Sequence, residues 1–98
     1  MFALDDPARV GQAYWGGYGV AQHGRRGLLA TLHGELAAST VRVAGLQPGP
    51  MRSALRARAY THQEDLDAVD PSHYAAACVE LLAPAGAAHR GAIWNPLA

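Results

Sequence analysis

The sequence predicts an α/β fold in which a small parallel sheet of three short strands carries two main helices. Three short apolar runs, at residues 2–4, 41–46 and 91–95, are typical of strands, and two helical patterns lie between them. Strands that alternate with helices form βαβ units, whose strands are parallel because the helix returns the chain to the same end of the sheet. The predicted order is therefore βαβαβ, within one domain over residues 1–98.

The first strand is the apolar run Phe2–Leu4, which ends at Asp5 and Asp6. It is typical of the end of a buried parallel strand, because such strands are apolar on both faces. Pro7 and Gly11 follow within a mostly polar stretch. We therefore predict a loop over residues 5–13.

The longest pattern is an amphipathic helix, predicted over residues 15–38. Its proposed buried face consists of Val20, Ala21, Leu28, Leu29, Leu32 and Leu36, which recur at roughly helical spacing. Gly24, Gly27 and Gly34 lie in the same stretch, and each costs about 1 kcal/mol relative to alanine. We take them to indicate that a neighbouring element packs closely against this helix.

The second strand, Val41–Leu46, is the clearest, because it begins with β-branched residues and ends at Pro48-Gly49-Pro50. Residues 51–59 are compatible with a short helix that places Met51, Leu55 and Ala59 on one face. Residues 60–68 are predicted to be polar and mobile.

The second main helix begins at Asp70, a favourable N-cap, with Pro71 in the first helical position. Its predicted buried stripe consists of Tyr74, Ala77, Cys78, Leu81 and Leu82. Pro84 and Gly86 are expected to end it. The last strand is predicted over residues 91–95, ending before Pro96.

Composition argues against several classes of function. The formal net charge is zero, which excludes the basic excess of a typical nucleic-acid-binding protein. A single cysteine, Cys78, allows neither an intrachain disulfide nor a thiolate metal site. No apolar run approaches the roughly 20 residues of a membrane span, and no basic, apolar leader begins the chain, so a cytoplasmic location is predicted.

The five histidines do not predict a metal site. His23 and His33 are ten residues apart on the long helix, so at about 100° per residue they point some 80° away from each other. No carboxylate joins them at ligand spacing. We interpret them as solvated or capping residues.

The sequence resembles the short-chain dehydrogenase/reductase family in two segments, Tyr18-Gly-Val-Ala-Gln22 and, after the helix, Val-Arg-Val-Ala-Gly-Leu-Gln-Pro-Gly. The residues around these segments are similar to those of the family's bacterial YciK-like branch. The resemblance covers nearly the whole chain but only about the last two fifths of a family member. It implies the C-terminal portion of a Rossmann-type doubly wound fold, without the N-terminal dinucleotide-binding half. It also implies that the last helix lies across the sheet from the tyrosine-bearing helix, against the usual right-handed crossover rule.

The resemblance also implies roles for single residues. Tyr18 stands at the position of the family's catalytic acid/base, and Gln22 at that of the lysine that lowers the tyrosine pKa and holds the nicotinamide ribose. Pro48, Gly49, Pro50 and Ser53 correspond to the turn that contacts the nicotinamide of NAD or NADP. Gln22 is neutral, so it can hydrogen-bond a ribose but supplies no charge.

Two further departures affect the expected activity. The family's catalytic serine falls in the window of Leu4, Asp5 and Asp6, which offers no hydroxyl. Asp5 or Asp6 could accept a hydrogen bond there, but a negative charge would oppose an oxyanion. Gly16-Gly17-Tyr18-Gly19 lacks the preceding strand and the spacing of a phosphate-binding loop.

These observations leave two functions. The first is a truncated oxidoreductase of this family, inactive alone, whose intact relatives would transfer hydride between NAD(P) and a carbonyl or alcohol. The second is a non-enzymatic association module that pairs with itself or with an intact relative. Neither nucleic acid nor membrane is an expected partner.

Overall fold

A computed structural model describes residues 1–60 and 68–96 of the chain. The strands are β1 (Phe2–Ala3), β2 (Gly45–Leu46) and β3 (Ile93–Trp94), and the α-helices are α1 (Pro7–Val10), α2 (Gly16–Glu35), α3 (Ala54–Ala59) and α4 (Ala75–Leu82). Two 3₁₀ turns, Pro71–Tyr74 and Pro84–His89, flank α4. Within these ranges no helix combines the length and the apolar character that crossing a membrane requires.

The three strands form one parallel sheet in the order β1-β2-β3, which confirms the predicted α/β arrangement. Gly45 in the central strand lies opposite Phe2 on one side and Ile93 on the other. The ladder continues beyond the short paired segments, since the amide of Phe2 donates to the carbonyl of Ala44 at 2.9 Å. The predicted second strand, 41–46, is therefore paired mainly at its carboxyl end.

The sheet separates two apolar clusters. The cluster beneath α2 has Leu4, Leu29 and Val43 at its centre. The cluster beneath α4 has Ala44, Leu46 and Leu81 at its centre. Val43 and Ala44 are adjacent in sequence and belong to different clusters, because successive strand residues point to opposite faces.

The two crossovers have opposite hands. The strand order advances in one direction across the sheet, while α2 and α4 lie on opposite faces. Two right-handed crossovers in the same direction would place both helices on one face. The arrangement implied by the family resemblance is therefore the one observed.

The loop predicted over residues 5–13 is wrong, because Pro7–Val10 form the short helix α1. Asp6 caps it, accepting a hydrogen bond from the Ala8 amide at 2.9 Å, and Pro7 occupies the first turn. This Asp-Pro start is the same signature that correctly marks the turn at Asp70-Pro71, where Asp70 accepts from the Ser72 amide. It was missed at Asp6 because only one helical turn follows.

The long helix is confirmed, although its predicted buried face is partly wrong. Leu29 is buried, and Leu32 and Leu36 pack half-buried on the same cluster. By contrast, Val20 is 74% exposed and Leu28 48% exposed, and Ala21 is exposed as well. Apolar spacing alone placed these residues on a single face, but the sheet covers only part of it.

The glycines of α2 do not play the predicted role. Among residues 1–60 and 68–96, a Cβ atom built at Gly24, Gly27 or Gly34 would meet nothing within 4 Å, so no described element approaches the helix there. The close approach is at Gly19, where a Cβ would overlap the carbonyl oxygen of Val10. Gly19 is therefore the position at which α1 requires glycine in α2.

The end of α2 is fixed by a distant residue. Arg90 Nη2 donates to the carbonyls of Leu36 and Ser39, at 3.0 Å each. These carbonyls lie just past the last helical turn, where backbone acceptors lack partners within the helix. The predicted end at residue 38 was thus close, with the helix ending at Glu35.

Around α3, the predicted short helix is confirmed over Ala54–Ala59 and is capped by Ser53, whose Oγ accepts from the Arg56 amide at 3.0 Å. Most of the segment predicted to be polar and mobile, 61–67, lies outside the described residues. Its flanking residues contradict the prediction, because Tyr60 and Ala68 are both buried.

The predicted stripe of α4 holds except at its end. Tyr74 and Leu81 are buried, and Cys78 is half-buried against the second cluster. Leu82 is 63% exposed, because the helix ends there and Pro84 starts a 3₁₀ turn. Pro84 therefore stops the helix, as predicted.

Candidate functional site

A cavity of about 190 Å³ opens at the carboxyl ends of β1 and β2. Its walls come from the residues after β1, the first half of α2, the turn after β2, and α3 with Tyr60. In open parallel sheets this edge is where ligands bind, because the loops after the strands leave a crevice there. The topology thus brings together residues that are far apart in sequence.

Five of the six site residues predicted from the sequence line this cavity: Tyr18, Gln22, Pro48, Gly49 and Ser53. Pro50 is not among the lining residues. Its carbonyl instead accepts hydrogen bonds from the Tyr74 hydroxyl at 3.0 Å and from the Val69 amide at 3.2 Å. Pro50 therefore anchors the turn after β2 to the 3₁₀ turn that precedes α4 and to Val69.

The central polar group of the cavity is the Asp5 carboxylate. The Tyr18 hydroxyl donates to Oδ2 at 2.6 Å, and the Tyr60 hydroxyl donates to both Oδ1 and Oδ2 at 2.9 Å. The Asp6 amide donates to Oδ1 at 2.7 Å. With these four contacts, both carboxylate oxygens are engaged by protein donors.

Asp5 occupies the window in which the family resemblance places a serine. The sequence suggested that an aspartate there could accept a hydrogen bond, and it accepts one from Tyr18 itself. The tyrosine proton is therefore directed at a carboxylate of the protein. A serine hydroxyl could donate to a ligand, whereas an ionised carboxylate only accepts.

Gln22 has a structural partner. It is 7% exposed, and its Oε1 accepts from the Asp5 amide at 3.0 Å, which leaves its NH₂ group as the donor end. The i, i+4 spacing places Gln22 one turn after Tyr18 on the same wall. Gln22 therefore fixes the backbone of the residue that binds the tyrosine hydroxyl.

Arg26 links the two loops at this edge of the sheet. Its Nη2 donates to the side-chain oxygen of Gln47 at 3.0 Å and reaches the Asp5 carbonyl at 3.4 Å. The loops after β1 and β2 are thus joined through one guanidinium. This positions Asp5 and the Pro48-Gly49 turn relative to each other.

Tyr60 is a central site residue that sequence reasoning missed, and Arg25 is another. Tyr60 is only 6% exposed, and its ring packs edge-on against Trp15 with centroids 4.8 Å apart. The Arg56 guanidinium lies 4.0 Å from the ring centroid of Tyr60, a distance typical of cation–π contacts. A tyrosine at the start of a polar run gave little indication of burial, because its partners Asp5 and Trp15 are more than forty residues away.

The environment of the two tyrosines disfavours their ionised forms. Burial, the hydrogen bond to Asp5 and the negative charge of Asp5 raise the pKa of Tyr18 well above its ordinary value. The same three causes raise the pKa of Tyr60, while Arg56 and Arg9 lower it by a smaller amount. Both hydroxyls are therefore protonated at neutral pH.

Arg25 gives the cavity wall a positive group. It lines the cavity, and its guanidinium lies 6.0 Å from the ring centroid of Phe2. Among residues 1–60 and 68–96 it has no hydrogen-bonding partner. The cavity thus combines a carboxylate that accepts both tyrosine protons with two arginines, Arg25 and Arg56, and Arg25 is the one without a hydrogen-bonding partner in those ranges.

Metal ligation has no candidate in the described parts of the chain. Across residues 1–60 and 68–96, no three histidine, cysteine, aspartate or glutamate side chains come together at ligand distance. His23 instead places Nδ1 at 2.9 Å from the Gly19 carbonyl, and His89 stacks on Trp94 with ring centroids 4.4 Å apart.

Comparison with known proteins connects this site to a family. No protein-family model matches the sequence, and no curated protein matches it. Among solved structures, a putative short chain dehydrogenase from Pseudomonas syringae is 32% identical with a TM-score of 0.81, covering 95% of this chain and 38% of that one. The short-chain dehydrogenase resemblance is thus confirmed.

Two further structures share the fold. A putative short chain dehydrogenase from Escherichia coli CFT073, complexed with NADPH, is 23% identical with a TM-score of 0.80 and matches 96% of this chain and 39% of its own. The oxidoreductase yciK from E. coli is 23% identical with a TM-score of 0.81, with coverages of 96% and 38%. The chain therefore spans about two fifths of the length of the dehydrogenases that it resembles.

Proposed function

Because this chain has the fold of part of a short-chain dehydrogenase/reductase, we propose that it carries the tyrosine wall and nicotinamide turn of such an oxidoreductase site and transfers no hydride alone. The observation behind this proposal is that Tyr18, Gln22, Pro48 and Gly49 line one cavity. In the intact relatives this region would serve hydride exchange between NAD(P) and a carbonyl or alcohol. Oxidoreductase activity would then require the elements that the resemblance places outside these residues.

The chemistry of Tyr18 supports the absence of independent activity. A general acid or base works best when its pKa is near the working pH, and the raised pKa of Tyr18 lies far from neutrality. Gln22 carries no charge to lower it. The proton that Tyr18 would give to a carbonyl is donated to Asp5 instead.

The cavity also limits cofactor binding. Its volume of about 190 Å³ is below the roughly 300–1,000 Å³ of pockets that enclose drug-sized ligands. The family resemblance assigns the Pro48-Gly49 turn and Ser53 to the nicotinamide end only. The glycines at the start of α2 follow the helix α1 rather than a strand, so they do not form the phosphate-binding turn of a dinucleotide fold.

Calorimetric titration of the purified chain tests this proposal. NADH and NADPH should bind no better than millimolar, and nicotinamide mononucleotide should bind about as weakly as either dinucleotide, because only the shared nicotinamide end is held. Micromolar binding of NADPH would contradict the proposal.

A second test restores the family lysine. Gln22→Lys should produce no measurable turnover of a carbonyl substrate with NADPH, because Asp5 still accepts the tyrosine proton and no adenosine pocket is added. The double variant Asp5→Ser with Gln22→Lys is the stronger version, and it should also stay inactive. Turnover by either variant would contradict the proposal that the elements outside these residues are required for hydride transfer.

A second candidate function is an association module that pairs with another copy of this chain. The observation that favours it is the outer face of α2, where exposed Val20 and Leu28 lie beside Gly24 and Gly27, which leave room for a second helix. The free side of β1, an edge strand within the described residues, offers further backbone groups for pairing. Sedimentation at micromolar concentration should show self-association and a marginally stable monomer, whereas a compact monomer that melts cooperatively would refute this candidate.

A further inference from the structure

We propose that the Asp5 cavity binds a small organic acid that carries a hydrogen-bond-donating group, an amine or a hydroxyl, and that it discriminates against the corresponding carbonyl compound. The donor group would lie at the oxygens of Tyr18 and Tyr60, and the acid group at Arg25. This inference concerns the cavity of the proposed function but rests on its own contacts. It requires neither cofactor nor turnover.

The first step is the direction of the tyrosine hydrogen bonds. Each hydroxyl has one proton, and both protons are donated to Asp5. What Tyr18 and Tyr60 present to the cavity is therefore lone pairs. A ligand group at this wall must bring the proton itself.

The second step is the cost of reversing that direction. A carbonyl oxygen could be bound by Tyr18 only if its hydroxyl turned away from Asp5. The carboxylate would then lose its shortest tyrosine hydrogen bond, 2.6 Å, in a partly buried site. Tyr60 and the Asp6 amide would still donate to the carboxylate, but the loss of one charge-assisted hydrogen bond costs free energy, so an amine or hydroxyl is favoured over a carbonyl.

The third step is charge. Asp5 accepts hydrogen bonds from both hydroxyls, while Arg56, also in the lining, lies over the face of the Tyr60 ring at 4.0 Å from its centroid. The carboxylate is therefore the nearer charge to a donor group at the two oxygens, so an ammonium should bind more tightly than a hydroxyl. Arg25 on the same wall offers guanidinium donors, the geometry that best matches a carboxylate. A ligand with both ends would engage both kinds of group in the lining.

The fourth step is size. The cavity, of about 190 Å³, is smaller than the roughly 300–1,000 Å³ of pockets that enclose drug-sized ligands, so a small acid suits it better than a large one. Alanine, lactate and pyruvate share one carbon skeleton and one carboxylate, and differ only in an ammonium, a hydroxyl or a carbonyl at the second carbon.

The experiment compares these three acids by amide chemical-shift titration of the full chain without cofactor. We expect alanine to bind most tightly, lactate next, and pyruvate at least tenfold more weakly than alanine. If lactate binds more tightly than alanine, the donor is a hydroxyl and the charge argument is wrong, while the donor rule stands. Pyruvate binding as tightly as lactate and alanine, or no measurable binding of any acid, overturns the proposal.

Variants separate the two ends of the ligand. Tyr60→Phe keeps the ring and removes one acceptor, so it should reduce the preference for alanine over pyruvate at least threefold. Arg25→Gln should weaken all three acids alike, and Arg58→Gln, an exposed arginine of α3 outside the cavity lining, should change nothing. If Tyr60→Phe does not fold, the ranking of the three acids on the unmodified chain still decides the proposal.

Discussion

The two sides of α2 differ in a way that its sequence does not suggest. The inner side buries a glutamine, Gln22, and a glycine, Gly19, together with Leu29. The outer side exposes the apolar residues Val20 and Leu28. The first half of the inner side is thus fixed by contacts with Asp5 and α1, while Leu29 packs in the apolar cluster beneath the helix, so the inner side is the one that substitutions should damage most.

The largest effect is expected from Gly19→Ala. The added Cβ would overlap the carbonyl oxygen of Val10, so α1 must move or detach. Overpacking of this kind should lower the free energy of unfolding by about 2–3 kcal/mol, despite the better helix propensity of alanine. Urea denaturation followed by circular dichroism measures it, and an unchanged midpoint would show that α1 does not pack on Gly19.

Asp5→Asn should have the next largest effect. The amide accepts more weakly than the carboxylate, so both tyrosine hydroxyls lose a charge-assisted partner, at about 1–2 kcal/mol in total. The pKa of Tyr18 and that of Tyr60 should fall toward ordinary values, although burial keeps them raised. Absorbance titration of tyrosinate should detect this shift, and Asp6→Asn, which leaves the tyrosine contacts intact, is the matched control.

The same network predicts how stability depends on pH. The folded pKa of Tyr18 lies above its unfolded value, so its contribution is fully present below about pH 10 and is lost as the pH rises further. Denaturation midpoints of the unmodified chain should therefore decline above about pH 10, and the decline should be shallower in Asp5→Asn. If the midpoints of the two proteins decline with the same slope, Asp5 does not contribute to the raised pKa of Tyr18.

On the outer side, Gly24→Ala should act in the opposite direction from Gly19→Ala. A Cβ at Gly24 meets nothing within 4 Å in the part of the chain that the structure describes, so the expected change is in helix propensity. The variant should be more stable by about 1 kcal/mol. Destabilisation instead would mean that another chain packs on this glycine in solution.

The smallest effect on the monomer is expected from Leu28→Gln. Leu28 is half-exposed on the outer side, so its replacement should change the monomer's free energy of unfolding by no more than about 0.5 kcal/mol. Its effect on association should be larger if α2 pairs with a second copy. Sedimentation of this variant beside the unmodified chain compares the two, and equal self-association would place the contact elsewhere.

The family resemblance supplied five of the residues that line the cavity, namely Tyr18, Gln22, Pro48, Gly49 and Ser53. The sequence by itself determined the order of the main elements and the parallel sheet, because strand ends and helix caps depend on neighbouring residues. The same cues failed at α1, where one turn of helix gives too short a pattern. The resemblance to a known family supplied the opposite placement of α4.

Only the tertiary structure decided what the cavity can do. The Tyr60 hydroxyl donates to Asp5, fifty-five residues earlier in the chain. Glycine is required at position 19 by the contact with α1 and not by α2 itself. Arg90, which precedes β3, donates to a carbonyl just after the end of α2. None of these contacts has a periodicity or a local motif. They arise because folding brings distant polar groups to one sheet edge, where each buried donor must find an acceptor, and this requirement commits the tyrosine protons to Asp5.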